Sequence, residues 1–224
     1  MKIVLIHGNP RAGGFVHGCI DLVAGELARA GAEVTVVRLA EKRIAECTGC
    51  FACLREGACI HEDDMGGIIA LLREADGIVT GASVRNGYFP ALYKRFLERI
   101  TYLVGFRSDL KGKPVLAIGA VGMAGGKKHL GRVLTLRDFH ALPAGYLFFR
   151  TGIPGTLKAE DAGETLRLAA ARFLRTVETR PRPNILRRAG WALDDAVMRR
   201  FMFRNDPDGV YAHVVRVWRE KGLM

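Results

Sequence analysis

The stretch Lys2-Ile3-Val4-Leu5-Ile6-His7-Gly8-Asn9-Pro10-Arg11-Ala12-Gly13-Gly14 decides the fold. Residues 2–7 are a continuous apolar, β-branched run, the pattern of a strand buried on both faces. Residues 8–14 are a glycine-rich loop, and helical spacing follows from about Phe15 to Ala30. Gly31 closes that helix, and AEVTVVRL (32–39) supplies a second strand.

The same alternation continues along the chain. Asp63 and Asp64 stand where helix N-caps belong, IIALLREA (68–75) reads as helix, and GIVTGASV (77–84) is the next strand. YFPALYKRFLERITYLVG (88–105) places Leu92, Phe96, Ile100 and Leu103 at helical spacing. KPVLAIGAV (113–121) predicts a fourth strand, Lys127 to His140 a fourth helix, AGYLFFR (144–150) a fifth strand and about Ala159 to Thr179 a fifth helix. Five strands alternating with five helices predict a three-layer α/β fold, because each parallel crossover needs a connecting segment and a helix is the usual one. A short first strand with a phosphate-type loop directly behind it fits the flavodoxin-like order 2-1-3-4-5, with a ligand crevice at the carboxyl ends of the strands.

That unit covers residues 1–180. Beyond it, RPRPN (180–184) is a proline-broken linker, and residues 181–224 predict a helical C-terminal extension of two helices. The extension carries ten basic and five acidic residues counted from Arg180. Trp191, Phe201, Phe203, Tyr211 and Trp218 are too many aromatics for a solvated arm, so it is expected to pack on the domain or on a second subunit.

Of 224 residues, 49% are hydrophobic and 25% charged, which excludes disordered and collagen-like classes. A chain of this size buries roughly 70% of its unfolded surface and needs no disulfide or metal to own a core. Thirty-four Lys and Arg against 23 Asp and Glu leave a formal charge of +11, which favours anionic partners. The first apolar run is too short for a signal peptide, and no stretch approaches the roughly 20 apolar residues of a spanning helix. The expectation is a cytoplasmic protein with no membrane partner. Nucleic acid is disfavoured, since no helix-turn-helix, zinc-finger or stacking pattern is present.

Cys47, Cys50, Cys53 and Cys59 (C-x2-C-x2-C-x5-C) form the most specific signal. Thiolates at i, i+3 and i+6 can converge on three corners of a cubic iron–sulfur cluster, with the fourth supplied slightly further on. Gly49 and Gly57 permit the tight turns such convergence needs. Structural zinc usually takes two separated C-x2-C knuckles; zinc, free thiols and a redox pair remain the alternatives. Cys19 stands alone in the first helix and reads as a small buried hydrophobe.

Together, GNPRAGG after the first strand, the cysteine run followed by Asp-Asp, GIVTGASV and the helix ending KRFLER resemble the NADPH-dependent FMN reductase superfamily, and especially its iron–sulfur flavoproteins. The resemblance covers roughly residues 1–180, with VWREKG (217–222) similar to the tails of some members. It implies FMN in the crevice, a [4Fe-4S] cluster on Cys47, Cys50, Cys53 and Cys59, and a homodimer or homotetramer that passes electrons. The implied flavin-binding residues are Asn9, Arg11, Gly13 and Gly14 in the first loop, Ser83, Val84, Arg85 and Asn86 in the second, and Gly122, Gly125 and Gly126 in the third.

The chain departs from the family pattern in two loops. Where the family has G-S-P-R-x-x-G-N-T, Asn9 replaces the serine and Val16 the threonine, so the phosphate loses hydroxyl donors but keeps Arg11 and the helix N-terminus. Where it has S-P-x-Y, Ser83 replaces the proline and Arg85 the tyrosine, which puts a cation in place of an aromatic wall. Lys94, Phe96 and Arg99 match the helix that follows, with Glu98 for aspartate.

A flavin accepts two electrons and can release them singly, whereas a cluster handles one at a time, so the pair splits electrons. The expected function is an oxidoreductase linking NAD(P)H or an acidic ferredoxin-like protein to a small acceptor. The alternative is a non-enzymatic cluster- or metal-binding carrier or sensor that has lost FMN. No hydrolytic triad or H-E-x-x-H is present; His7 reads as a hydrogen-bonded strand-end histidine.

Overall fold

The computed structural model describes residues 1–153, 155–200, 204, 206 and 209–224. Its five parallel strands are β1 (Lys2–His7), β2 (Glu33–Arg38), β3 (Gly77–Ser83), β4 (Pro114–Val121) and β5 (Leu142–Arg150). They run in the order β2-β1-β3-β4-β5, as the sequence predicts.

Each crossover carries a helix: α1 (Phe15–Arg29), the short α2 (Ala52–Arg55) and α3 (Met65–Glu74), α4 (Ala91–Ile100), and α5 (Lys127–Leu134); α6 (Gly163–Thr179) follows β5. The sheet is buried on both faces. Ile3 and Leu5 of β1 point into an apolar layer with α1 and α6, while Val4 and Ile6 point into the layer formed with α3, α4 and α5. All eight residues of the inner strand β4 are buried, which is why its sequence reads as an unbroken apolar run.

Three predicted boundaries move. The fourth helix stops at Leu134 rather than His140, because Leu136 and His140 adopt left-handed backbone (φ 51° and 58°) around a 3-10 turn at Arg137–Phe139. The fifth begins as a 3-10 turn, Glu160–Ala162, before α6. Helix α4 continues into a π turn, Thr101–Gly105. On α4 it is Tyr93, with Phe96 and Ile100, that is fully buried, and Leu92 lies at the margin.

The extension forms α7 (Ile185–Met198) and α8 (Ala212–Glu220). Trp218 and Tyr211 pack on the domain, as the aromatic content implied. Phe201 and Phe203 lie outside the described residues.

Candidate flavin crevice and cysteine loop

Three loops meet at the carboxyl ends of β1, β3 and β4. Gly8 N donates to Gly81 O at 2.8 Å, and a Cβ on Gly8 would drive into the Tyr93 ring, so the first loop starts hard against β3 and α4. Asn9, buried, accepts at Oδ1 from Ser83 N and Ser83 Oγ, both at 3.0 Å. The residue that replaces the family serine thus ties the first loop to the second. Val84 N donates to Ala120 O at 2.7 Å, and a Cβ on Gly126 would come within 2.6 Å of Val84 Cγ2, which joins the second loop to the third.

The predicted residues therefore divide. Asn9, Ser83, Val84 and Gly126 come together. Gly13 (φ +69°) and Gly125 (φ +88°) hold left-handed backbone with no atom within 4 Å of where a Cβ would stand, leaving their backbone open to a ligand. Gly122 instead packs on Ile153, where a Cβ would meet Cγ1 at 2.8 Å. Arg11, Arg85 and Asn86 are at least partly exposed.

The fifteen-residue α1 starts at Gly14 with no side-chain cap, so its first-turn N–H groups have no side-chain acceptor. Arg11 Cδ lies 3.9 Å from the position of a Gly14 Cβ, which sets this arginine beside the helix start. An uncapped helix N-terminus with an arginine beside it fits a phosphate dianion. Deeper in, His7 packs edge-to-face on His17 at 5.1 Å. Burial first, then the neighbouring His17 and Arg38, lower its pKa to about 4. Its buried Nε2 has no hydrogen-bond partner among the described residues, unlike the hydrogen-bonded strand-end histidine expected from the sequence.

Arg85 belongs to a tight hairpin. It exchanges backbone hydrogen bonds with Tyr88 at 2.6 and 2.9 Å across Asn86 (φ 48°) and Gly87 (φ 76°). Two successive positive φ values make a type I′ turn, and Asn-Gly is its sequence signal. The turn brings in Tyr88, whose ring lies 4.1 Å from Phe89 and 4.5 Å from His129 at the start of α5. The turn thus sets an aromatic pair, Tyr88 and His129, beside Arg85 where the second loop meets the third.

The cysteine loop is held by a buried ion pair. Arg99, 2% exposed at the end of α4, donates to both carboxylate oxygens of Asp63 (2.6 and 3.1 Å) and to Ala45 O (2.9 Å). Asp63 also accepts from Ala45 N (2.8 Å) and Met65 N (3.0 Å), so it caps α3 and closes the loop in one residue. Burial works against its charge, but Arg99 and the two N–H groups outweigh that and keep the carboxyl below its usual range. The N-cap signal identified Asp63; its partner 36 residues away carries no local mark.

Cys53 is half-buried, and its pKa rises to about 11 through burial first, then the charges of Cys59, Cys47 and Cys50. The other three thiols of the loop thus all act on Cys53. Exposed Cys50 is shifted the other way, by hydrogen bonds from Ala52 N–H and Thr48. Among the described residues, no three His, Cys, Asp or Glu are placed to hold a metal ion. A zinc would need every sulfur within about 2.3 Å of one point, whereas the four irons of a cubic cluster are separate attachment points. Four soft donors in one loop, with Cys47 and Cys59 close enough to act on the buried Arg99, fit the cluster in kind.

Helix α8 covers this loop. Leu54 of α2 packs on Val214 and Trp218, with Cys53 and Tyr102 at the edge of the same apolar cluster. Trp218 Nε1 donates to Phe106 O at 2.7 Å, and Lys221 Nζ to Arg107 O and Asp109 Oδ1, both at 2.6 Å. A Cβ on Gly57 would strike the His213 ring, so glycine is required there by contact as well as by its φ of +86°. A groove of about 560 Å³ lies apart from the crevice, between α4, the turn after α5 and the extension.

The sheet order defines a flavodoxin-like fold, with the three loops at the carboxyl ends of its strands. The chain belongs to the NADPH-dependent FMN reductase family, whose pattern matches residues 1–154, and is a flavin-binding oxidoreductase. It is 33% identical over 177 residues to an iron–sulfur flavoprotein of Archaeoglobus fulgidus, covering 76% of this chain and 78% of the relative. An iron–sulfur flavoprotein of Methanocaldococcus jannaschii is 30% identical over 175 residues, covering 73% and 85%. Among solved structures, RosB with a bound 8-demethyl-8-formylriboflavin-5′-phosphate intermediate superposes with a TM-score of 0.62 at 17% identity, covering 88% of this chain and 87% of that one. Oxidised flavodoxin 1 of Bacillus cereus gives 0.55 at 19%, covering 78% and 98%. At these identities the structures speak for the fold alone. No helix among the described residues is long and apolar enough to cross a membrane.

Proposed function

We propose that this oxidoreductase holds FMN in the crevice and a [4Fe-4S] cluster on Cys47, Cys50, Cys53 and Cys59. In this reading it carries electrons between NAD(P)H or an acidic ferredoxin-like protein and a small acceptor, as a homodimer or homotetramer. The observation that carries the proposal is the placement of four thiols in one clamped loop at the far end of α4, whose near end follows the second flavin loop. That helix has ten residues, about 15 Å at 1.5 Å per residue.

When bound, FMN supplies two-electron chemistry with single-electron release, and the cluster supplies one-electron transfer. The chain's own part is positional. Arg11 and the first turn of α1 take the phosphate, Gly13 and Gly125 leave room for close approach, and Tyr88 with His129 walls the crevice. Arg99 offsets thiolate charge, and α8 keeps water from the inner side of the cysteine loop. Relatives named iron–sulfur flavoprotein support the cluster assignment.

Iron, sulfide and flavin content of anaerobically purified protein tests the proposal. The expected result is about four irons and one FMN per chain. Cys50→Ser should lose iron and keep FMN; equal iron in variant and wild type would overturn the ligand assignment. Iron without FMN would favour a non-enzymatic carrier or sensor.

A further inference from the structure

Helix α7 is packed inside out. Apart from Met198, which packs on the Leu54–Val214–Trp218 cluster, its inward side is polar or aromatic: Asp195 pairs with Lys111, Asp194 Oδ2 lies 3.1 Å from His140 Nε2, and Trp191 stacks on the His140 ring at 5.6 Å. Its other large apolar residues are exposed, with Ile185 79%, Leu186 80% and Leu193 65% facing solvent and Val197, 46%, at the rim of the 560 Å³ groove. At about 100° per residue these four, with Ala189 and Ala196, fall on one stripe opposite Trp191 and Asp195. A helix held by its acids and showing its leucines to water leaves an apolar face that burial would stabilise.

Charge indicates what covers it. Residues 180–200 hold six arginines and two aspartates, and both aspartates are spent on Lys111 and His140. Arg180 is paired with Asp76, but no described carboxylate pairs with Arg182, Arg187, Arg188 or Arg200. A second α7 laid antiparallel on the stripe would bring Arg199 and Arg200 of one copy towards Arg180 and Arg182 of the other. Such like-charge contact disfavours self-pairing. On the flank of α7 that carries Arg188, next to the Ile185 edge of the stripe, a pocket of about 400 Å³ is lined by Lys111, Arg182, Arg188 and Trp191, with Pro183 and Asp195. Only one carboxylate faces these three cations, and it already belongs to Lys111.

We propose that α7 is a peripheral membrane-docking helix. Its apolar stripe lies in the interface of an anionic bilayer, and the Lys111–Arg182–Arg188 pocket receives a lipid phosphate headgroup. An amphipathic helix with a basic flank binds in this way without spanning. The expectation of no membrane partner rested on spanning length, which an interfacial helix does not need. The docked face would set the oxidoreductase beside lipid-soluble electron acceptors. This inference is independent of whether FMN or a cluster is bound.

Flotation of the full chain with vesicles tests it, comparing equal parts phosphatidylglycerol and phosphatidylcholine with phosphatidylcholine alone. Wild type should float with the anionic vesicles, and added salt should weaken the binding. Leu186→Ser with Leu193→Ser, which changes no charge, should abolish it. Arg182→Glu with Arg188→Glu should weaken it by at least about 25-fold, about fivefold for each arginine lost. If the serine variant fails to fold, judged by circular dichroism, the arginine variant and the salt dependence decide. Equal or absent binding to the two vesicle types would overturn the proposal, as would wild-type binding by the serine variant. Sedimentation velocity supplies a further check: an oligomer that the serine substitutions dissociate would assign the stripe to a second copy instead.

Discussion

In the flavin crevice, loops are joined by uncharged groups: Gly8 N to Gly81 O, Asn9 Oδ1 to Ser83, Val84 against Gly126. In the cysteine loop the joints are ionic. Arg99 grips Asp63, and Asp109 collects Arg73, Arg107 and Lys221 under the C-terminal cover. The difference follows from what each region must hold. A crevice for a flat ring and a phosphate needs backbone brought close and N–H groups left free, which glycine and an uncapped helix provide. A loop that gathers four thiols accumulates negative charge as they ionise, and a buried guanidinium offsets it.

The largest expected effect breaks the ionic side. Arg99→Leu leaves the Asp63 carboxylate in a buried site without its cation and should cost about 3–5 kcal/mol in urea unfolding. Adding Asp63→Asn should recover part of that loss. Because the Asp63 carboxyl is held low, the clamp contributes fully above the usual carboxylate range and is lost only as pH falls below that range, through the lowered value of the folded state.

A second pH effect belongs to the crevice. His7 titrates near 6.5 when unfolded and about 4 when folded, so its contribution is complete above 6.5 and is lost as pH falls to 4. Wild type should lose about 3 kcal/mol across that window, and His7→Leu should flatten this slope in denaturation curves taken from pH 7 to pH 4. An unchanged slope in the variant would remove His7 as its source.

Gly8→Ala should follow at about 1–3 kcal/mol, since the new methyl meets a buried Tyr93 that has nowhere to move. Its FMN affinity should fall while iron content stays, the mirror image of Cys50→Ser; loss of both would show that the two regions are not separable. Asn9→Ala should be the smallest, about 1 kcal/mol by thermal melting. Riboflavin binding should weaken with it as much as FMN binding, because Asn9 braces the loops. A loss confined to FMN would place its amide on the phosphate instead.

Much of this was legible in the sequence because it is local. The parallel layering follows from five apolar runs alternating with helices, the strand order from likeness to the flavodoxin-like fold, and the cysteine spacing lies within thirteen residues. The tight turn at Arg85–Tyr88 is local too, since Asn86-Gly87 is its sequence signal, but the Tyr88–His129 contact it leads to joins two loops and has none. The end of α5 is not legible in the sequence, because the left-handed backbone falls on Leu136 and His140, outside the Gly, Pro, Asn, Asp and Ser that dominate turns.

By itself the sequence determined the layering of the sheet, the glycine-rich loop before α1 and the set of thiols, since periodicity, backbone freedom and donor chemistry are properties of neighbouring residues. Tertiary structure alone decided that Asp63 meets Arg99, that α8 covers the cysteine loop, and that α7 turns its leucines outward. Those depend on which charges and faces meet across 36 residues or more, and in an amphipathic helix the pattern shows that one side is apolar without showing which side the fold will bury.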